Sequence, residues 1–499
     1  MKLALILYAL VAIYELMVWS KLLWHYRRLS ASLGIIMLSL SSGFLIARRP
    51  DVWSILITGF SFYRVINLLR LVEGRMKADY LFLMSKKTSF LLIISQLLIF
   101  GFWYLSYKLD MAASLWLKLV LVFDLLVSIV LIYALRRHLR TTKPKVRTKF
   151  TAEKDLPTLS VLIPARNETI ELEECLASLL ASDYPKLEIL VLDDCSQNKR
   201  TPQIIRGFAH DGVEFVEGDL PPEDWLAKNY AYDQLAKKAN GEILLFCGVD
   251  VRFEKTTIRN IVEEMIERKK TMLSVMPKNN LDRKTSLMIQ PSRYAWELAL
   301  PRRLVNRPPI LSTCWVIKSE ALRKFGNFNA VKRDVAVEAF FAKKSTTHDE
   351  FSFIRSDASV GLSSLKPFDE QKDTAIRTRY PQTHRRPEIV AWLSVIELSV
   401  FISPIVFAIL AMTYKRPLVF IFALCVCALL EYFYLLVIQT TYQKLTFKAI
   451  YSLPIAAIYD IELLSYSMWQ YEFKEVLWKG RNICLPLMYD NNEFIERQS

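Results

Sequence analysis

The sequence predicts an α/β domain with a mostly parallel sheet covered by helices, flanked by N- and C-terminal transmembrane helices. Apolar residues gather before about Arg136 and after about Ile389, and the stretch between them is polar. Inside that polar stretch, from Leu159 onward, short apolar runs alternate with helical segments. Such alternation is the pattern of a parallel sheet packed on both faces. Three of the short runs also end in loops that carry carboxylates or stand next to one. In open α/β sheets, those loops are where ligands bind.

Five apolar stretches precede the polar domain, at about 3–24, 29–47, 52–72, 86–107 and 112–135. Most approach the roughly 20 residues that cross a bilayer as helix. The third is the weakest because it carries Arg64 and Arg70, and it fits either a tilted span or a surface helix. Residues 3–20 read as a retained anchor, being unlike a cleaved leader and closely followed by further spans. Lys21, Arg27 and Arg28 favour an inside loop, and the charge-poor loop 107–111 an outside one. Five spans then put residue 136 onward inside, although Arg48 and Arg49 fall on the wrong side of that arrangement. Three more apolar stretches follow, at about 389–413, 417–438 and 448–469. Asp460 and Glu462 make the last of them costly to bury in lipid, so it is expected to lie at the interface or to re-enter. The expected division is a membrane domain 1–140, a cytosolic domain 150–388, membrane helices 389–470 and an interfacial or cytosolic tail 471–499.

The net charge of +15 sits largely beside the apolar stretches, in runs such as Arg136–Arg140 and Lys143–Lys149. Basic flanks mark the cytoplasmic side of a span and attract anionic lipid. No nucleic-acid reader motif accompanies them, which argues against a nucleic-acid partner. The seven cysteines contain no CxxC pair, and the five histidines stand apart. That pattern suits reduced thiols in a cytosolic domain and speaks against a zinc site. The expected location is therefore the cell membrane, as an integral protein with its polar domain in the cytoplasm.

In the polar domain, strands are expected at Leu159–Ile163, Ile189–Leu192, 213–216 and Ile243–Cys247. Helices are expected at 170–182, near 201–209, at 228–239 and at 255–268. The first strand runs into Pro164-Ala165-Arg166-Asn167-Glu168, the second into Asp193-Asp194-Cys195-Ser196, and the fourth into Gly248-Val249-Asp250. A nucleotide sugar needs carboxylates to grip ribose or base, and one to hold a divalent ion against its diphosphate. Magnesium and manganese prefer such hard oxygen ligands and share them with phosphate.

The run from Leu159 to Glu168, then Tyr184-Pro185, then Glu188 to Ser196, resembles the opening of the family 2 glycosyltransferases. The resemblance covers about residues 157–390. It implies a GT-A fold, a nucleotide-sugar donor with a UDP-sugar foremost, and inversion at the anomeric carbon. A narrower likeness lies in Pro221 to Ala231, which resembles the Pro-x-x-Trp-x-Gly-Lys-x-x-Ala segment of the hopanoid-associated and ceramide glucosyltransferase-like lipid branch. Ala227 replaces the usual glycine. It implies a membrane lipid or lipid-linked acceptor, met by Trp225, and a donor contact at Lys228, which a helix start would reinforce.

The resemblance assigns further residues. Lys332-Arg333-Asp334 falls at the family's acidic pair, which makes Asp334 the general base, with Glu338 in reserve. A carboxylate suits that task because a dry pocket raises its pKa toward neutrality. Ile376-Arg377-Thr378-Arg379-Tyr380 has the form of the Gln-Arg-Gly-Arg-Trp-like motif. It implies diphosphate contacts from Arg377 and Arg379, and an acceptor contact from Tyr380. Glu168, Asp193 and Asp194 complete the expected donor set, and Asp250 is the expected ligand of a divalent cation, Mg or Mn. Trp478-Lys479-Gly480-Arg481 resembles a segment that closes several lipid-modifying relatives. The sequence departs from the Asp-x-Asp metal motif at Gly248. That departure admits a degenerate transferase kept as a membrane scaffold, while the five N-terminal stretches admit a processive polysaccharide synthase of the cellulose or hyaluronan type.

Overall fold

The computed structural model describes residues 2–73, 79–108, 113–145, 151–279, 287–299, 308–442, 449 and 452–484. The loop 109–111, much of the basic run 146–149 and the tail 485–499 lie outside the described residues.

Strands β1 (Leu159–Ala165), β2 (Leu187–Asp193), β3 (Val213–Glu217) and β4 (Ile243–Cys247) form where the apolar runs are. The nearly continuous apolar runs of β1 and β4 are what a parallel strand buried on both faces requires, whereas β3, with two exposed glutamates, lies at the sheet edge. Next come β5 (Val251–Phe253), β6 (Met272–Met276), β7 (Lys278–Asn279), β8 (Cys314–Lys318), β9 (Phe351–Arg355) and β10 (Leu362–Ser364). The main sheet has seven strands in the order β3-β2-β1-β4-β8-β6-β9. All its neighbours run parallel except β8, which is antiparallel to β4 and β6. The chain winds outward from β1 through β2 to β3, and returns to the other side of β1 as β4. The loops after β1 and β4 therefore flank a switch point, where a crevice opens.

Alternate side chains of one strand enter opposite layers, as the strand period of two demands. Val161, Ile163, Leu245 and Cys247 join the helices Ile170–Leu180 and Thr257–Glu267. Leu162, Leu244 and Phe246 join Tyr232, Phe328 and Phe341 on the other face. There Phe246 stacks on Trp315, with ring centres 4.2 Å apart.

Among the described residues, six helices are long and apolar enough to cross a membrane: Arg27–Arg48, Val52–Val72, Leu83–Lys108, Lys118–Thr141, Pro387–Thr413 and Pro417–Thr441. Leu3–Val18 is apolar but shorter. The helix Val52–Val72 looks weak in sequence because of its arginines, yet both are turned into the protein. Arg64 bonds Glu15 at 2.7 Å and Gln96 at 2.5 Å. Arg70 bonds Glu472 at 2.7 Å, Tyr380 at 2.9 Å and Ser85 at 2.9 Å. Charges inside a membrane bundle are tolerated when they pair in this way. The helix Leu453–Phe473, which contains Asp460 and Glu462, packs on the helix Phe368–Gln382.

Candidate active site

A cavity of about 980 Å³ opens at the carboxyl ends of β1 and β4. Pro164 comes from the end of β1, Glu168 from the loop after it, and Gly248, Val249 and Asp250 from the loop after β4. Trp225 and Lys228 contribute from the segment before and at the start of the helix Ala227–Lys238. Lys228 stands on the first turn, where the helix dipole adds to its own charge. Burial pushes its ammonium below the usual lysine range, and Glu338 opposes the shift. Its Nζ lies 5.3 Å from the centre of the Tyr232 ring.

The helix Phe368–Gln382 presents Glu370, Asp373, Thr374, Arg377 and Thr378 to the cavity. Their spacing is that of one helix face. Arg377 donates to Thr374 Oγ1 at 3.1 Å. Arg379 and Tyr380 do not line the cavity, contrary to the expectation that they meet donor and acceptor. Arg379, two residues on from Arg377, points about 200° away from it, whereas Tyr380 follows Arg377 by a turn and lies beyond the cavity. Arg379 is turned to the helix Leu453–Phe473, pairs with Asp460 and lies over the Trp296 ring. Tyr380 is fully buried, with its hydroxyl between Glu472 at 2.6 Å and Arg70 at 2.9 Å.

Asp193 and Asp194 are also displaced from the expected role, because neither lines the cavity. Asp193 accepts the backbone N–H of Ser196 at 3.2 Å and so shapes its own turn. Asp194 is held by Arg481 at 2.6 Å. Asp193 is drawn into the geometry of its own turn by a near neighbour, and Asp194 into a pair whose partner lies 287 residues away, which local sequence does not reveal.

Asp250 faces the cavity and accepts from Ser364 Oγ at 3.2 Å, with Lys366 Nζ at 3.8 Å. A Cβ placed on Gly248 would run into Oδ1 of Asp250, so the surviving carboxylate occupies the space that a first acid would need. Lys366 and Arg293, neither of them expected from sequence, line the same wall. Burial lowers the Lys366 pKa, and Asp250 raises it in part. Among the described residues no three carboxylate, histidine or cysteine side chains gather as a metal cage. A single carboxylate still fits magnesium or manganese, which commonly bind one or two carboxylates plus substrate phosphate and water.

Asp334 is exposed and does not itself line the cavity, although its neighbours Arg333 and Val335 do. The protein crowding it, together with the charge of Glu338, pushes its carboxyl up to about 6. Its segment is held by Asn229, whose amide donates to the carbonyls of Val331, Lys332 and Asp334 at 2.9, 3.2 and 2.9 Å. Asn229 thus ties the Lys228 helix to the Asp334 loop. The sequence signal for it is its place directly after Lys228.

A hairpin, β11 (Leu477–Trp478) and β12 (Arg481–Asn482), completes the wall. Lys479 Nζ lies 3.1 Å from Glu168 Oε1, and Arg166 Nε donates to the Lys479 carbonyl at 3.0 Å.

Residues 160–326 match the profile described as glycosyl transferase family 2. The chain carries a family 2 glycosyltransferase domain. Its mostly parallel sheet with helices on both faces is the GT-A-like fold that the resemblance implied. A probable glycosyltransferase of Bacillus subtilis is 30% identical over 25% of this chain and 30% of its own length. A 4,4'-diaponeurosporenoate glycosyltransferase of Staphylococcus haemolyticus is 31% identical over 24% of this chain and 32% of its own. The chain therefore spans about a third of the length of the curated relatives it matches. A mannosyltransferase of Pyrobaculum calidifontis, solved with GDP-Man and Mn2+, is 19% identical, covering 71% of this chain and 99% of its own, with a TM-score of 0.43.

Proposed function

We propose that the protein is an inverting glycosyltransferase that moves a sugar from a nucleotide-sugar donor, a UDP-sugar foremost, to a membrane lipid or lipid-linked acceptor. The observation that carries this reading is one cavity, at the switch point of a family 2 domain, lined by Lys228, Asp250, Lys366 and Arg377. These four face the same cavity as Arg293, Glu370 and Asp373, and cations gathered beside carboxylates suit a diphosphate and its metal. The six long apolar helices support a membrane setting, and the basic flank at 136–140 supports a cytoplasmic domain. The Staphylococcus haemolyticus relative's name, and the Trp225–Lys228 segment, support the lipid acceptor.

In this reading Lys228 and Arg377 bind the diphosphate, and Glu168 lies toward the nucleoside. Asp250 would hold a magnesium or manganese ion, which when bound supplies neutralisation of the leaving diphosphate. Asp193 and Asp194 shape the loop beneath the donor, and Arg379 and Tyr380 brace the helix that carries Arg377. Trp225 meets the acceptor. Asp334 takes the proton from the acceptor hydroxyl as its oxygen bonds to the anomeric carbon. The bond from that carbon to the phosphate oxygen breaks, and the nucleoside diphosphate leaves with the electron pair.

The test is a panel of radiolabelled nucleotide sugars incubated with the purified protein and native lipid extract. A chloroform-soluble labelled product is expected. A polymer retained at the origin would instead favour a processive synthase, and no transfer from any donor would favour a scaffold. A reporter fused after residue 155 should behave as internal, and an external reporter would overturn the cytoplasmic placement.

A further inference from the structure

The Trp478–Arg481 segment is far in sequence from the domain it covers, and its contacts divide into two kinds. One kind fixes the backbone. Arg166 donates to the Lys479 carbonyl at 3.0 Å, and the Ile483 N–H donates to the Val476 carbonyl at 2.9 Å. Arg481 pairs with Asp194 at 2.6 Å, where both side chains are largely buried. Val476, Ile483 and Cys484 add an apolar underside, packed in one cluster with Tyr380 and Tyr471. The hairpin is thus a seated element of the domain.

The other kind is the contact of the Lys479 ammonium with Glu168 at 3.1 Å, and a third of that lysine side chain is exposed. Lys479 and Gly480 form the turn, with φ of 48° and 81°. Glycine takes such a conformation freely, whereas lysine does so uncommonly. Positive φ at both central residues is what a two-residue hairpin turn of type I′ requires, and Lys479 at that turn lines the cavity. The carbonyl of Lys479 is anchored by Arg166, so its ammonium can change partner without moving the hairpin.

Resting on the reading of the cavity as a nucleotide-sugar site, we propose that Lys479 is a donor-recognition residue that the C-terminal hairpin delivers. Glu168 holds its ammonium while the site is empty, and the ammonium transfers to the donor's diphosphate when the nucleotide sugar binds. The charge of the ligand favours the exchange, because the diphosphate brings more negative charge than one carboxylate. The step is a swap of ion-pair partners, with no bond made or broken. The hairpin thereby reads whether the ligand carries phosphate.

The experiment uses the full chain purified in detergent, with magnesium present, and equilibrium binding of UDP, GDP, CDP and TDP beside the matching nucleosides. In Lys479→Ala, affinity for the preferred nucleoside diphosphate should fall about tenfold or more, the size expected of one charge-assisted hydrogen bond. Nucleoside affinity should be unchanged, and Lys479→Arg should restore most of the loss. Equal weakening of diphosphate and nucleoside would make Lys479 a brace for Glu168 only, and unchanged diphosphate binding would also overturn the proposal. If the parent binds none of the four diphosphates, the reading of the cavity itself fails and the proposal with it. Limited trypsin digestion of the unsubstituted protein gives a second measure that needs no variant. Cleavage after Lys479 should slow several-fold with the diphosphate and not with the nucleoside, and equal rates would count against the exchange.

Discussion

Asp334→Asn keeps the size of the side chain and removes its ability to accept a proton. A positioned carboxylate base typically contributes about 10²–10⁴-fold to such a step, so turnover should fall by that order. Donor affinity should hold, because Lys228, Asp250 and Arg377 are untouched. The structure adds a second, independent signature. With its carboxyl near pH 6, Asp334 is about nine-tenths ionised at pH 7 and about one-tenth at pH 5. The working form is the ionised one, so the rate must fall as pH drops through 6. Between pH 7 and 5 the loss should be about tenfold, and the same limb should vanish in Asp334→Asn. The assay is the initial rate of transfer to extracted lipid at saturating donor, read from pH 5 to 8, with nucleoside diphosphate binding followed in parallel. A flat profile in the parent, or near-normal turnover in Asp334→Asn, would refute the assignment and move attention to Glu338.

Three further outcomes are expected. Arg379→Met strands the buried Asp460 carboxylate and should cost about 3–5 kcal/mol of stability. Arg379→Met with Asp460→Leu should recover most of that cost in denaturant titrations, and donor affinity of the folded protein should be unaffected. Asn229→Ala removes three bonds to the Asp334 segment. It should destabilise by about 1–3 kcal/mol and lower turnover more than donor affinity, measured as kcat against nucleoside diphosphate binding. Chelation should abolish transfer and added magnesium or manganese restore it. Asp250→Asn should raise the metal concentration needed or remove activity, and full parental rate in excess chelator would sink the metal assignment.

The first four strands and the helices between them were legible because each depends on local pattern. Leu159–Ala165 is apolar almost without break, as a strand covered on both faces must be. The antiparallel insertion of β8 between β4 and β6 was not legible, because strand pairing across some seventy residues leaves no mark in either run. In the site, Glu168, Asp250, Lys228, Trp225 and Arg377 fall on the cavity wall; the first two follow strand ends, and the other three came from the family resemblance. Arg379 and Tyr380 were assigned by motif position alone. Helix geometry already forbids Arg377 and Arg379 from sharing a face, but which of the two points inward is decided by Asp460. Asp194 likewise took its partner from Arg481, 287 residues away. Side-chain destinations of this kind rest on tertiary contacts that a single sequence does not encode locally.

The Arg70 cluster joins the helix Val52–Val72 to Glu472 and Tyr380, and the hairpin lies only a few residues beyond Glu472. Synthesis runs from the N-terminus, so the sheet and most of the cavity emerge while their last wall is still unmade. Only when residues 472–484 arrive can Arg70 find its carboxylate and Glu168 its lysine. A ribosome-bound chain that has just finished its sheet thus lacks a finished donor pocket, whatever its nucleotide supply. A fragment of residues 150–388 would be in the same condition permanently, with Tyr380 deprived of two of its partners.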